Sequence, residues 1–386
     1  MCSIRAAGFQ ECETDLGDGA MDPAARRAAI FRPACPLGAG RSRGGPRRLP
    51  TCARLWRADR KPAAGMASFI LPLCLAGLAV LGLLTSGCGQ RGEGKTDDDR
   101  PLVVCTTTMI ADMTRELVGP HARVAAIMKP RVDPHIYDPT PEDSILFRNA
   151  DLILVNGLHL EGRMLDMIQA AGNRAVRLGE DSRIKLRNRG GSAAPDPHVW
   201  WNARYFGIMT ERAAEALAAT IPAYADLFRQ NAARYRQRLE RLHEQCQAAV
   251  SRIPAERRYM ITSHDAFYYF GEAYGMEVDA VLGISTDAQA NAAEPMRLAR
   301  IAAERRLPAV FHETSVTQAL NDLVDLIQRL AKDKYGHELR IAGPLYSDSL
   351  GAPGEPAGTY AGAMKANVCM IVEALSGQPA EGLFEP

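Results

Sequence analysis

From Pro101 onward, short wholly apolar runs alternate with segments whose apolar residues recur with a helical period. "PLVVCTT", "RVAAIM", "ADLILVNG" and "RAVRLG" read as buried strands. Thr108 to Val118 and "EGRMLDMIQAAG" read as helices between them. Thr140-Pro141-Glu142-Asp143 opens a further short helix, with threonine at the N-cap and proline at the first helical position. From Pro222 to about Ile253 the alternation stops, and Phe228, Tyr235, Leu239, Leu242, Cys246 and Val250 fall on one stripe of a single long helix. Strand and helix patterns then alternate again through "RRYMITS", "DAFYYFGEAYG", "DAVLGI", "AEPMRLARIAAERRL", "PAVFHET", "ALNDLVDLIQRLAKD" and "ELRIAGPLYSD" to a closing helix, "GTYAGAMKANVCMIVEALSG". Such alternation predicts an α/β protein of two lobes. Each lobe is a parallel-rich sheet flanked by helices, and one long rigid helix joins them. The expected divisions are 101–221, 222–253 and 254–386.

Upstream of residue 101 the pattern is different. Residues 1–65 carry twelve Lys or Arg against six Asp or Glu without helical or strand period, as in a disordered or mis-assigned N-terminal extension. Sixteen uncharged residues, Phe69 to Leu84, are short for a spanning helix, which needs about 20 residues, and fit the apolar region of an export signal. Residues 66–88 therefore read as a signal peptide ending at Ser86-Gly87-Cys88. That ending resembles a bacterial lipoprotein processing site, with Cys88 as the lipid-attachment residue, although Thr85 stands where an aliphatic residue is usual. Residues 89–100 contain no apolar side chain and read as a flexible tether. An exported chain, periplasmic or on the outer face of the membrane, follows. Of nine cysteines, five precede Cys88; Cys105, Cys246 and Cys369 look like small buried hydrophobes, so no disulfide framework is implied.

Charge changes the picture little. Forty-six basic against 45 acidic side chains give no electrostatic footprint for nucleic acid. The informative polar residues sit where α/β folds place their sites, after strands. His135 lies in "VDPHIYDPTPED", His198 in "PDPHVWWN", His264 directly after "YMITS" and Asp348 after "IAGPLYS". Both His135 and His198 follow Asp-Pro, which stiffens the backbone before the imidazole and sets a carboxylate beside it. Taken singly, each histidine reads more readily as a hydrogen-bonded structural residue than as a ligand. Together, three imidazoles and one carboxylate suit a divalent transition metal. Asp133, Asp196, His159 and Glu313 are candidates to support these groups, with turn and cap roles as the alternative. Trp200 and Trp201 read as cover for the cleft or core, and His121, His243 and His337, in charged surroundings, as surface residues. The chain has no His-Glu-x-x-His helix, Gly-rich phosphate loop or Gly-x-Ser-x-Gly elbow.

The ordered set "VDPHIYDPTPED", "ADLILVNGLHLEG", "DPHVWWN", "ITSHDAFYYF", "ISTDAQANAAEP", "FHETSV" and "LYSDSLG" resembles the TroA-like zinc/manganese substrate-binding proteins of bacterial ABC importers, over about residues 101 to 380. The resemblance implies two α/β lobes with a metal buried between them on His135, His198, His264 and Asp348. It also implies a membrane permease with its cytoplasmic ATPase as partner, a lipid anchor, a monomeric state and no enzymatic activity. Three imidazoles favour Zn2+ over Mn2+, with Fe2+ last. In this family a glutamate often replaces the third histidine in manganese-directed members, from which His264 departs. Zinc specialists often carry a His-rich loop, and residues 163–194 contain no histidine. A secreted zinc-dependent hydrolase, or a surface adhesin on the same scaffold, is the alternative reading.

Overall fold

The computed structural model describes residues 99–188 and 194–384; the N-terminal extension, the apolar leader, Cys88 and most of the tether lie outside the described residues. Strands β1 (Leu102–Cys105), β2 (Arg123–Ala126), β3 (Leu152–Val155) and β4 (Ala175–Arg177) form one sheet in the order β2-β1-β3-β4, with every pairing parallel. These runs are apolar at successive positions because helices cover both faces. Val103 and Cys105 point into one core, Leu102 and Val104 into another, and Leu154 and Ile153 divide in the same way. Helix α1 (Thr108–Val118) matches its expected bounds, capped by Thr107, whose side chain accepts from the Ile110 amide. Helix α2 (Pro141–Asn149) starts in a full capping box between Thr140 and Asp143. The helix expected over "EGRMLDMIQAAG" is shorter: a 3-10 turn, Gly162–Met164, precedes α3 (Leu165–Ala170), which has no side-chain N-cap to extend it.

After α4 (Ala203–Thr220) comes the long helix, α5 (Ala225–Val250); its 26 residues span about 39 Å at 1.5 Å each. It is shorter than the expected 222–253, since Pro222–Tyr224 form a separate 3-10 turn. Its predicted stripe is buried throughout, from Phe228 to Val250. The second half contains β5 (Tyr259–His264), α6 (Tyr268–Tyr274), β6 (Glu277–Leu282), α7 (Glu294–Glu304), β7 (Ala309–Glu313), α8 (Gln318–Tyr335), β8 (Arg340–Leu345) and α9 (Tyr360–Ser376). Here β5 pairs with β6 and β7 with β8, all parallel, as two two-stranded sheets with β5 packed beside β7. Helix α5 packs on α1 and α4 from the first half and on α6 and α9 from the second. One apolar core therefore runs through both lobes, from Val103 and Phe206 through Leu239 and Cys246 to Phe311 and Met364.

Two sequence expectations need correction. His243 is buried, not exposed: it stands four residues after Leu239 and three before Cys246, so helical geometry sets it on the apolar stripe beside the Tyr274 ring despite its charged neighbours. His121 and His337 are half-buried, stacking near Tyr224 and lying with Nε2 2.7 Å from the Leu307 carbonyl oxygen, respectively. Cys105 and Cys246 are buried as expected, whereas Cys369 is half-buried.

Among the described residues no helix is long and apolar enough to cross a membrane. The β7–β8 ladder shifts register between Phe311 and Glu313, opposite Gly343. Gly343 has φ +103°, and a Cβ there would come 2.8 Å from the His312 carbonyl oxygen. Gly343→Ala should therefore lower the stability of the protein by about 1–3 kcal/mol, measured by urea unfolding.

Candidate metal centre

Three strands deliver polar groups to one end of the molecule. His264 is the last residue of β5, Glu313 the last of β7, and Asp348 lies three residues beyond β8. His135 sits in the loop between β2 and α2, and His198 just ahead of α4. The structure brings His135, His198, His264 and Asp348 together, with one donor atom from each within 4.8 Å of all the others. His135 is 6% exposed and the other three at most 1%.

The separations suit a small cation. The two Nε2 atoms of His135 and His198 are 3.2 Å apart; Asp348 Oδ1 is 3.4 Å from His198 Nε2, and Oδ2 is 3.0 Å from His264 Nε2 and 3.9 Å from His135 Nε2. Four donors held tetrahedrally at about 2.0–2.1 Å from zinc lie about 3.3–3.4 Å from one another. Neither Asp348 oxygen has a hydrogen-bond partner of proper geometry, although both are buried. Buried carboxylate oxygens are costly without a compensating charge or donor. The cluster is thus an incomplete polar network that a divalent ion would complete.

Each donor is held from behind. Asp196 Oδ1 accepts the backbone N–H of His198 and lies 2.8 Å from its Nδ1, which aims Nε2 inward. Glu313 serves His264: Oε1 accepts its backbone N–H at 2.8 Å, and Oε2 lies 2.7 Å from its Nδ1. The Asp133 carboxylate behaves differently from Asp196 despite the shared Asp-Pro-His triplet. Its Oδ1 accepts the His135 backbone N–H, and its Oδ2 accepts the Thr286 hydroxyl from the other lobe. Asp348 accepts nothing at its carboxylate, but its backbone N–H donates to Ser315 Oγ. Trp200 and Trp201 are buried behind it, and both indole N–H groups donate to the Ser347 carbonyl oxygen. His159 is exposed and does not join the cluster.

Arg187 and Asp265 were not singled out from sequence. Arg187 Nη1 lies between Asp196 and Asp265 at 3.3 and 3.0 Å, while its guanidinium stacks over the Tyr268 ring. It neutralises acids beside His198 and His264. Its only sequence signal was a basic residue close before the second Asp-Pro-His.

Charge in the cluster is strongly biased. Burial opposes ionising His264, but Glu313 and Asp348 outweigh it and hold the imidazole well above the usual histidine value. Burial likewise opposes Asp348 ionisation, yet His264 outweighs it and holds the carboxyl below its ordinary range. His135 goes the other way: burial, only partly offset by Asp348, lowers it to about 3. The charged forms of His264 and Asp348 therefore favour each other.

Two lobes enclosing a buried donor cluster at the strand ends are the architecture of a metal-binding substrate-binding protein. Residues 103–374 match the family described as zinc-uptake complex component A, periplasmic (ZnuA), and the chain belongs to that family. Manganese-binding lipoprotein MntA of Bacillus subtilis is 35% identical over 294 residues, covering 75% of this chain and 94% of MntA. Zinc-binding protein TroA of Treponema pallidum is 36% identical over 309 residues, covering 78% and 97%. The solved structure of the periplasmic zinc-binding protein TroA from Treponema pallidum matches with a TM-score of 0.67 at 37% identity, over 72% of this chain and 99% of that one.

The His135 shift sets a pH window for the metal-free protein. Below the ordinary histidine value of 6.5 the unfolded imidazole takes up a proton, while the folded one does not until about 3. Stability should therefore fall as pH drops through that window, with His135 contributing up to about 1.4 kcal/mol per pH unit. Urea unfolding at a series of pH values should show a shallower slope for His135→Gln than for the native chain.

Proposed function

We propose that this protein captures one divalent transition-metal ion outside the cytoplasmic membrane on His135, His198, His264 and Asp348. It then delivers the ion to the permease of an ABC importer driven by a cytoplasmic ATPase. The observation that carries this reading is the buried Asp348 carboxylate, with both oxygens lacking hydrogen bonds and three imidazole nitrogens 3.0–3.9 Å away. Near-complete burial argues for capture over hydrolysis, since a catalytic zinc keeps an open position for water and substrate. Asp196 and Glu313 fix the ring orientation of His198 and His264, and Asp133 fixes the His135 backbone.

Three nitrogens and a carboxylate rank zinc ahead of manganese, with iron last. Names among the relatives point to both zinc and manganese. The lobes are taken as 101–221 and 254–386 with 222–253 between them. Export with a lipid on Cys88 would tether a monomer beside its permease.

Release requires the lobes to part, and the shared core limits how far. Helix α5 buries its stripe against both halves, so bending it would tear one continuous packing arrangement. Small-angle scattering of metal-free and zinc-loaded protein should give nearly the same radius of gyration; a large compaction would reject a stiff linkage. Elemental analysis of protein purified from its own envelope should find one zinc per chain. His135→Ala and Asp348→Ala should each lose the ion, and retention of stoichiometric metal by either variant would overturn the assignment.

A further inference from the structure

A route to the cluster is visible on one side only. Trp200, Trp201 and the Ser347 carbonyl close the back of Asp348, and His198 and His264 are fully buried. Of the four donors, His135 borders an open cavity of about 340 Å³ among the described residues, between the lobes. A cavity of that size has room for several waters. Its walls are mostly apolar: among the described lining residues, His135, His159 and Ser285 are those whose side chains carry a hydrogen-bonding group. An ion entering through it meets, among the described lining residues, one imidazole besides that of His135: His159.

The backbone at His159 is unusual. Gly157, Leu158 and His159 have φ of +79°, +57° and +63°, a run in the left-handed region that two L side chains rarely share. Such conformations persist where surrounding structure holds them, and they cluster at functional sites. Here the turn is held by Glu161, whose carboxylate accepts the Asn156 and Gly157 N–H groups, and by Glu180, which accepts that of Leu158. The opposite wall, around Ser285, is tied across the cavity by Thr286 to Asp133 and by Arg163, which pairs with both Asp138 and Asp287.

We infer that His159 is a relay ligand. It takes a water position on the incoming ion at the mouth, passes the ion to His135, and receives it again on exit. No bond other than metal–water and metal–imidazole is made or broken. The inference rests on the proposed metal capture, deepening it by naming the entry group.

Stopped-flow mixing of the metal-free full chain with Co2+, followed by its visible absorption, separates the two. His159→Gln should slow both association and dissociation by about tenfold, leaving equilibrium affinity, the Co2+ spectrum and the unfolding midpoint unchanged. His159→Asp, which restores a metal donor, should recover most of the rate. Unchanged rates in His159→Gln would overturn the relay, as would equal slowing by His159→Asp. A changed Co2+ spectrum would also overturn it, since His159 would then bear on the resident ion. Failure of the native chain to bind Co2+ would instead reject the capture function itself.

Discussion

A carboxylate placed where water does not reach dominates this molecule. Asp348 has no hydrogen-bond donor of proper geometry on either oxygen, so its charge must be answered by a cation among the three imidazoles. Glu313 and Asp348 together favour the charged form of the His264 imidazole, against its burial. Much of the surrounding architecture exists to hold this arrangement. The Ser315 and Ser347 hydroxyls are 2.8 Å apart, Ser315 receives the Asp348 amide, and two indoles fix the Ser347 carbonyl. Asn321 ties Ser263 and Glu313 to one another beneath His264.

Because donors come from both halves, the halves must keep register. Helix α5 supplies this by packing against both, and the hydrogen bonds across the interface refine it. Asp133 to Thr286, the Arg131 amide to Ser349 and the Leu350 amide to Thr108 all join residues far apart in sequence. Arg187 ties the acid behind His198 to the acid beside His264.

Much of this was legible before any coordinates. The apolar strands β1 and β3, the capping box at Thr140 and the stripe of α5 follow from local sterics and periodicity, and each is found. The four candidate donors stood out by the two Asp-Pro-His triplets and by the strand patterns that end at His264 and run up to Asp348. What misled was local context without tertiary partners. His243 looked exposed from its charged neighbours, yet its stripe position buries it. The twin Asp-Pro-His triplets looked alike, but Asp196 meets a ring nitrogen while Asp133 meets only the backbone and a threonine of the other lobe.

By itself, then, the chain's sequence determined the α/β class and the long helix and singled out His135, His198, His264 and Asp348 as candidates, because periodicity, capping and short motifs are local properties. Only the tertiary structure decided that these donors lie within 4.8 Å of one another, that both Asp348 oxygens face them, and that Arg187 stands behind two of them. Those facts depend on how residues 63, 129 and 213 positions downstream of His135 return to it. Such returns are set by packing of one core through both lobes, which no local pattern encodes.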